Sequence, residues 1–209
     1  MEIIAMPVGM VQANCYIVYK KEEKEALIID PGGEPEKIIE AIENNQLNVR
    51  AILLTHAHFD HIGGLDKVRD YTKAPVYLHT AEWDWLGEPE LNGSVKLTGQ
   101  TVTALEADKV LEEGTLDIEN FSINTLHTPG HSPGSISFVF PEDHFAVTGD
   151  VLFQQGIGRT DLIEGDIDTL EHSIKEKLYQ LPADLTILPG HGPATTIDYE
   201  KKNNPFFPA

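Results

Sequence analysis

Thr55-His56-Ala57-His58-Phe59-Asp60-His61-Ile62-Gly63-Gly64 is the stretch that decides the fold of this 209-residue chain. It places three imidazoles and a carboxylate close together, directly after the apolar run Ala51-Ile52-Leu53-Leu54. A short apolar run ended by turn-forming residues reads as a buried strand. The histidines then lie on the loop leaving that strand's carboxyl end, where α/β folds tend to build their sites. Imidazole nitrogen and carboxylate oxygen are ligands that zinc and similar divalent ions accept. His56, His58, Asp60 and His61 are therefore candidate metal ligands. The competing reading is a polar surface loop that happens to carry three of the chain's nine histidines.

Working outward, three more fragments have the same design. Thr128-Pro129-Gly130-His131-Ser132-Pro133-Gly134 follows the apolar stretch 121–126, Thr148-Gly149-Asp150 follows 144–148, and Leu188-Pro189-Gly190-His191-Gly192 follows 185–188. Each sets one His or Asp on a turn just past an apolar run. Glycine and proline fix such turns and let backbone approach a ligand closely. One such fragment is weak evidence. Four strand ends that present His or Asp in the same way point to a single metal centre.

The rest of the chain is consistent with a layered α/β domain spanning residues 1–209. Residues 2–7, 14–19 and 26–30 read as strands and Asp30-Pro31-Gly32-Gly33 as a turn. Residues 34–45 read as a helix, with Ile38, Ile39 and Ile42 at helical spacing and Pro35 near the start, where its missing N–H is harmless. A short helix is expected over 65–71, strands over 51–54, 76–79, 121–126, 135–140, 144–148 and 185–188, and a helix over 168–181 with Leu170, Ile174, Leu178 and Leu181 along one face. Residues 81–114 show no period; Trp83 and Trp85 in this segment read either as part of a substrate wall or as packing anchors.

Composition narrows the function. Hydrophobic content of 41% and charged content of 23% are ordinary globular values. The net charge of −19 and the lack of a basic stripe argue against nucleic-acid binding. No run reaches the length of a membrane span, and the first residues lack the basic start of a secretory leader, so a cytoplasmic protein that binds no membrane is expected. A single cysteine, Cys15, excludes an internal disulfide and a thiolate metal cage; it reads as a small buried hydrophobe. His127 and His79 read as structural, His144 and His172 as exposed.

The metal motifs, from His56 to His191, together with Asp30-Pro31-Gly32, resemble those of the metallo-β-lactamase superfamily, and within it the glyoxalase II-like hydrolases. The resemblance implies an αββα sandwich with two metal ions at one edge. His56, His58 and His131 would hold the first ion, and Asp60, His61 and His191 the second. Asp150 would bridge both. Seven side chains suit two ions better than one, since a catalytic zinc takes about four or five ligands. Zinc is the expected metal, with iron or manganese compatible. The implied reaction is hydrolysis of a small acyl thioester such as S-lactoylglutathione by a metal-bound hydroxide, with Asp60 and Asp150 as the catalytic carboxylates. A thiolate leaving group with a pKa near 8.5 needs little protonation.

The chain departs from the larger glyoxalase II enzymes after Asp150. Val151 to Asp161 lacks the lysine and tyrosine expected there, and no glutathione-holding helical domain is expected beyond His191. Gly158-Arg159-Thr160-Asp161 instead resembles the short bacterial subgroup. Arg159 is the candidate for gripping an anionic substrate group, because guanidinium pairs with carboxylate in two-pronged fashion. A salt bridge to Asp161 or Asp166 is the alternative. An iron-dependent persulfide dioxygenase and a lactonase on the same fold are the competing activities, and a non-catalytic binding module would show degenerate ligands, which this chain does not.

Overall fold

A computed structural model describes residues 1–209, which divide into two compact units, Met1–Leu111 with Ile118–Asn120, and Glu112–Asp117 with Phe121–Ala209. The first unit is built on a sheet ordered β1 (Glu2–Val8), β2 (Ala13–Tyr19), β3 (Glu25–Ile29), β4 (Asn48–Leu53), β5 (Val76–His79) and β6 (Lys109–Leu111). β1, β2 and β3 pair antiparallel, and β3 through β6 run parallel. β3 is apolar along Ala26 to Ile29 because parallel strands are buried on both faces. Parallel strands need long crossovers, and the chain supplies them: α1 (Pro35–Asn45) links β3 to β4, while α2 (Phe59–Ile62) and α3 (Leu65–Thr72) link β4 to β5. As a result Asp30 at the end of β3 and His56 after β4 emerge at the same edge.

The second unit carries a sheet ordered β14 (Thr195–Thr196), β13 (Thr186–Pro189), β10 (Phe145–Gly149), β9 (Ile136–Phe140), β8 (Phe121–His127) and β7 (Gly114–Ile118). β9 runs antiparallel to both β8 and β10, and β13 runs parallel to β10. β8, β10 and β13 therefore point the same way. Their carboxyl ends, which lead to His131, Asp150 and His191, share one edge of this sheet. A small hairpin of β11 (Leu152–Phe153) and β12 (Gly156–Ile157) follows Asp150. The core here joins Val139, Ala146, Leu152 and Ile187 from the strands to Leu170, Ile174, Leu178 and Tyr179 from the following helical span. Ile197, in α6 (Ile197–Asn203), closes the cluster.

Two expectations need correction. The helix expected over 168–181 is composite: α5 (Ile167–His172), a π-helical turn Ser173–Lys177 and a 3-10 turn Leu178–Gln180. Leu170, Ile174 and Leu178 recur every four residues, which outruns the ~3.6-residue turn of an α-helix. The wider π turn brings them back over the core, and all three are buried.

Residues 81–114 are not irregular throughout. They hold most of the 3-10 helix Thr80–Leu86, α4 (Ser94–Thr98), β6 and the start of β7. Buried Asn92 organises the middle: its Nδ2 donates to the carbonyls of Trp85 and Val102, and its Oδ1 accepts from Ser94 N. Structure pinned by side-chain-to-backbone bonds carries no sequence period. No helix is long and apolar enough to cross a membrane.

Candidate metal centre

In the first unit the expected ligands His56, His58, Asp60 and His61 come together around the end of β4. The imidazoles of His56, His58 and His61 are buried, with ring centroids 4.8 Å apart for His56–His58 and 4.1 Å for His56–His61. Donor atoms of His56 and His58, of His56 and His61, and of Asp60 and His61 lie pairwise within 4.8 Å.

Asp30 organises this cluster. It sits in the left-handed region (φ 53°), which aspartate tolerates better than most residues. Its buried carboxylate accepts from Thr55 N (2.8 Å) and Thr55 Oγ1 (2.6 Å) and meets His61 Nδ1 at 2.9 Å. The single Thr55 hydroxyl proton goes to Asp30. Thr55 Oγ1 must then accept from His56 Nδ1, 3.0 Å away. Both histidines thus carry the Nδ1 proton and present Nε2 as the candidate ligand atom.

In the second unit the carbonyl of Arg159 accepts from His131 Nδ1 at 2.8 Å, which again leaves Nε2 as the ligand atom. The turns that carry Asp150 and His191 are tied directly, Gly190 N donating to Gly149 O at 2.8 Å. One carboxylate oxygen, Asp150 Oδ2, lies 3.7 Å from His131 Nε2 and 3.6 Å from His191 Nε2. Asp60 Oδ2 in the first unit lies 3.8 Å from His61 Nε2. These separations are too long for hydrogen bonds. They approach the ~3.3 Å between two ligand atoms bound at about 2.0–2.1 Å to one tetrahedral ion. The donor set, imidazole Nε2 with carboxylate oxygen, suits divalent zinc, iron or manganese.

The bracing behind the ligands leaves no mark in the sequence. There, Asp30 shows as part of a motif turn and Thr55 as the start of the histidine stretch, and neither shows as a partner of an imidazole. Arg159 stands out for its side chain, yet its backbone carries the clearer role here. A Cβ at Gly158 would fall 1.8 Å from Asp150 O and 3.1 Å from His131 Cβ. Gly32 is its counterpart in the first unit, where a Cβ would fall 1.6 Å from Asp60 O. In both places the backbone passes directly against the carbonyl of a candidate ligand. Forced overpacking costs about 1–3 kcal/mol, and each kcal/mol shifts Tm by ~2–4 °C at this size. Gly158→Ala should lower Tm by roughly 2–12 °C and loosen metal retention. Thermal unfolding with and without added zinc checks this, and an unchanged Tm would show that the backbone yields at no cost.

The Arg159 guanidinium pairs with Asp161 through Nε (2.7 Å) and Nη2 (2.8 Å), which holds it more firmly protonated, and its side chain is half exposed. His127 Nε2 bonds Pro133 O (2.8 Å), and His79 accepts from Ala81 N, both structural roles. His144 and His172 are exposed. Burial drives the Cys15 thiol far above its ordinary pKa, so it is not a nucleophile at neutral pH.

The family model of the metallo-beta-lactamase superfamily matches residues 8–191. The chain is 52% identical to the probable metallo-hydrolase YqgX of Bacillus subtilis (strain 168), over 96% of this chain and 95% of that protein. It is 41% identical to the hydroxyacylglutathione hydrolase GloC of Haemophilus influenzae, over 99% and 98%. Among solved structures, the BLEG-1 B3 metallo-beta-lactamase superposes with a TM-score of 0.97 at 49% identity, covering 100% of both chains. TTHA1623 in a di-iron-bound form gives 0.87 at 37%, covering 98% of this chain and 100% of that one. The chain belongs to the metallo-β-lactamase superfamily, has its fold, and is a metal-dependent hydrolase.

Proposed function

We propose that the chain is a dinuclear thioesterase of the glyoxalase II type acting on S-lactoylglutathione or a related acyl thioester. The observation that carries the dinuclear reading is Asp150 Oδ2, poised between His131 Nε2 and His191 Nε2 at nearly equal distance. A carboxylate oxygen facing two imidazoles in this way suits a bridge between two ions. His56, His58 and His131 would hold one ion and Asp60, His61 and His191 the other, with Asp150 shared between them.

When bound, the ions lower the pKa of water toward ~7 and polarise the acyl carbonyl. The protein's own groups do the rest. Asp30, Thr55 and the Arg159 carbonyl hold the imidazoles in the tautomer that presents Nε2. Asp60 and Asp150 are the carboxylates available to take the proton of the attacking water. The leaving thiolate needs no separate acid. Zinc is the metal we assign; the di-iron form of TTHA1623 makes iron the alternative. The single buried cysteine fits a reducing cytoplasmic setting.

The name of the Haemophilus influenzae relative supports the thioester. The likeness to BLEG-1, a B3 metallo-beta-lactamase, supports a second reading, opening of a β-lactam ring at the same centre. Zinc-loaded protein offered S-D-lactoylglutathione and a chromogenic cephalosporin in parallel separates the two. Thiol release on the first substrate, with a much higher kcat/KM than on the second, is expected. The reverse ratio would replace thioesterase with lactamase. Oxygen uptake with glutathione persulfide in an iron-loaded, hydrolytically inert sample would replace both.

In this reading the Arg159 guanidinium leaves Asp161 to meet the anionic end of the substrate. Arg159→Ala should then raise KM several-fold while changing kcat little, the mark of lost uniform binding. An exposed ion pair contributes little to stability, so Tm should stay near that of the parent. Unchanged KM would restrict Arg159 to its salt bridge.

A further inference from the structure

We infer that Glu82 is a positioning residue for His58, acting through the reach of its carboxylate to one backbone N–H. The inference rests on the proposal that His56 and His58 hold an ion. Glu82 lies in the 3-10 helix Thr80–Leu86 and is fully buried. Its Oε2 accepts from Ala57 N at 2.5 Å. Ala57 is the residue between the two histidines. On the other side of His58, Phe59 N donates to Asn92 O at 3.1 Å. The Trp85 ring lies 5.5 Å from the His58 ring, tilted by 41°.

His58 is therefore bracketed by one segment. Its preceding N–H is held by Glu82, its following N–H by Asn92, and its ring abuts Trp85. Glu82 anchors the His56–Ala57 peptide and Asn92 O the His58–Phe59 peptide, so only the Ala57–His58 link lies between two fixed points, and the ring contact then limits χ of His58. A leucine or methionine would fill the space of Glu82 without the cost of burying a carboxylate. An acceptor of this length supplies what they cannot, the bond to Ala57. Trp85 is thereby a packing anchor behind His58, one of the two roles open to it in the sequence.

Two isolated changes separate reach from charge. Glu82→Gln keeps an oxygen at the same distance and removes the charge. Glu82→Asp keeps the charge and withdraws the oxygen by one methylene. Zinc affinities are read by competition with a chromophoric chelator on folded protein. Glu82→Gln should bind both zincs within about threefold of the parent. Glu82→Asp should weaken one of the two binding steps by ~10–100-fold, the usual effect of losing a group that orients a ligand, and leave the other step unchanged.

Amide exchange at Ala57 in the metal-free protein gives a second reading, independent of metal. Protection should fall at least tenfold in Glu82→Asp and persist in Glu82→Gln, with Phe59 unaffected in both. The inference is overturned if Glu82→Asp binds both zincs like the parent, or if Glu82→Gln loses as much as Glu82→Asp. A parent protein that takes up no metal at all would overturn the dinuclear reading itself, an outcome plainly different from either.

Discussion

Asp150→Ala should strip metal and hydrolysis from the protein together. The carboxylate is the proposed bridge, and the same oxygen faces His131 and His191 at 3.7 and 3.6 Å. Its removal takes a ligand from both ions at once and leaves two dications without the negative charge that offsets their repulsion. Loss of a group that merely orients a ligand costs ~10–100-fold in affinity or activity; loss of the bridge itself should exceed that, with metal content falling well below one per chain and kcat by more than a hundredfold. The fold should survive, because the side chain lies at a strand end and the neighbouring core residues Ala146, Val151 and Leu152 are untouched. Elemental analysis and steady-state kinetics on one preparation check both halves. Full metal content with full rate would remove Asp150 from the centre.

Asp30→Ala should be the most destabilising single change in the first unit, although Asp30 is no metal ligand. It is buried and takes three hydrogen bonds, from Thr55 N, Thr55 Oγ1 and His61 Nδ1. Each donor stranded in the interior costs about 1–3 kcal/mol, and alanine is also disfavoured at the left-handed backbone of position 30. A loss of ~3–5 kcal/mol, the range for breaking a buried polar pair, corresponds to a Tm lower by roughly 6–20 °C.

Zinc affinity should fall with it, since the His61 tautomer and, through Thr55, that of His56 depend on this carboxylate. Asp30→Asn separates the two effects. It tolerates the backbone, and with its one oxygen toward Thr55 N it loses the bonds from Thr55 Oγ1 and His61 Nδ1, so Tm should fall between those of the parent and Asp30→Ala while metal affinity drops. Asp30→Ala with parental Tm and metal content would refute the brace.

The candidate ligands were legible because metal chemistry leaves a local imprint. His56, His58, Asp60 and His61 crowd one loop, and His131, Asp150 and His191 each stand on a Gly or Pro turn after an apolar run. The strands were legible for the same reason, an apolar run with turn residues at its ends. The bracing roles behind the ligands were not legible. Asp30 reaches His61 across 31 residues, Glu82 reaches Ala57 across 25, and the Arg159 carbonyl meets His131 across 28. Parallel pairing of β3 with β4 brings Asp30 beside Thr55, and nothing in the local sequence announces it. The segment 81–114 stayed opaque because Asn92 and Glu82 fix it through backbone contacts that have no period. The π turn at Ser173–Lys177 was hidden in a pattern that looked helical, and only its spacing of four, slightly long for an α-helix, pointed to the widened turn.

Anomalous diffraction from crystals of the zinc-loaded protein, collected on both sides of the zinc edge, tests the central claim most directly. Two peaks per chain are predicted, one ringed by His56, His58 and His131, the other by Asp60, His61 and His191, with Asp150 touching both. A single peak that leaves Asp60, His61 and His191 without metal, or two peaks with Asp150 turned away from either, would contradict the dinuclear account.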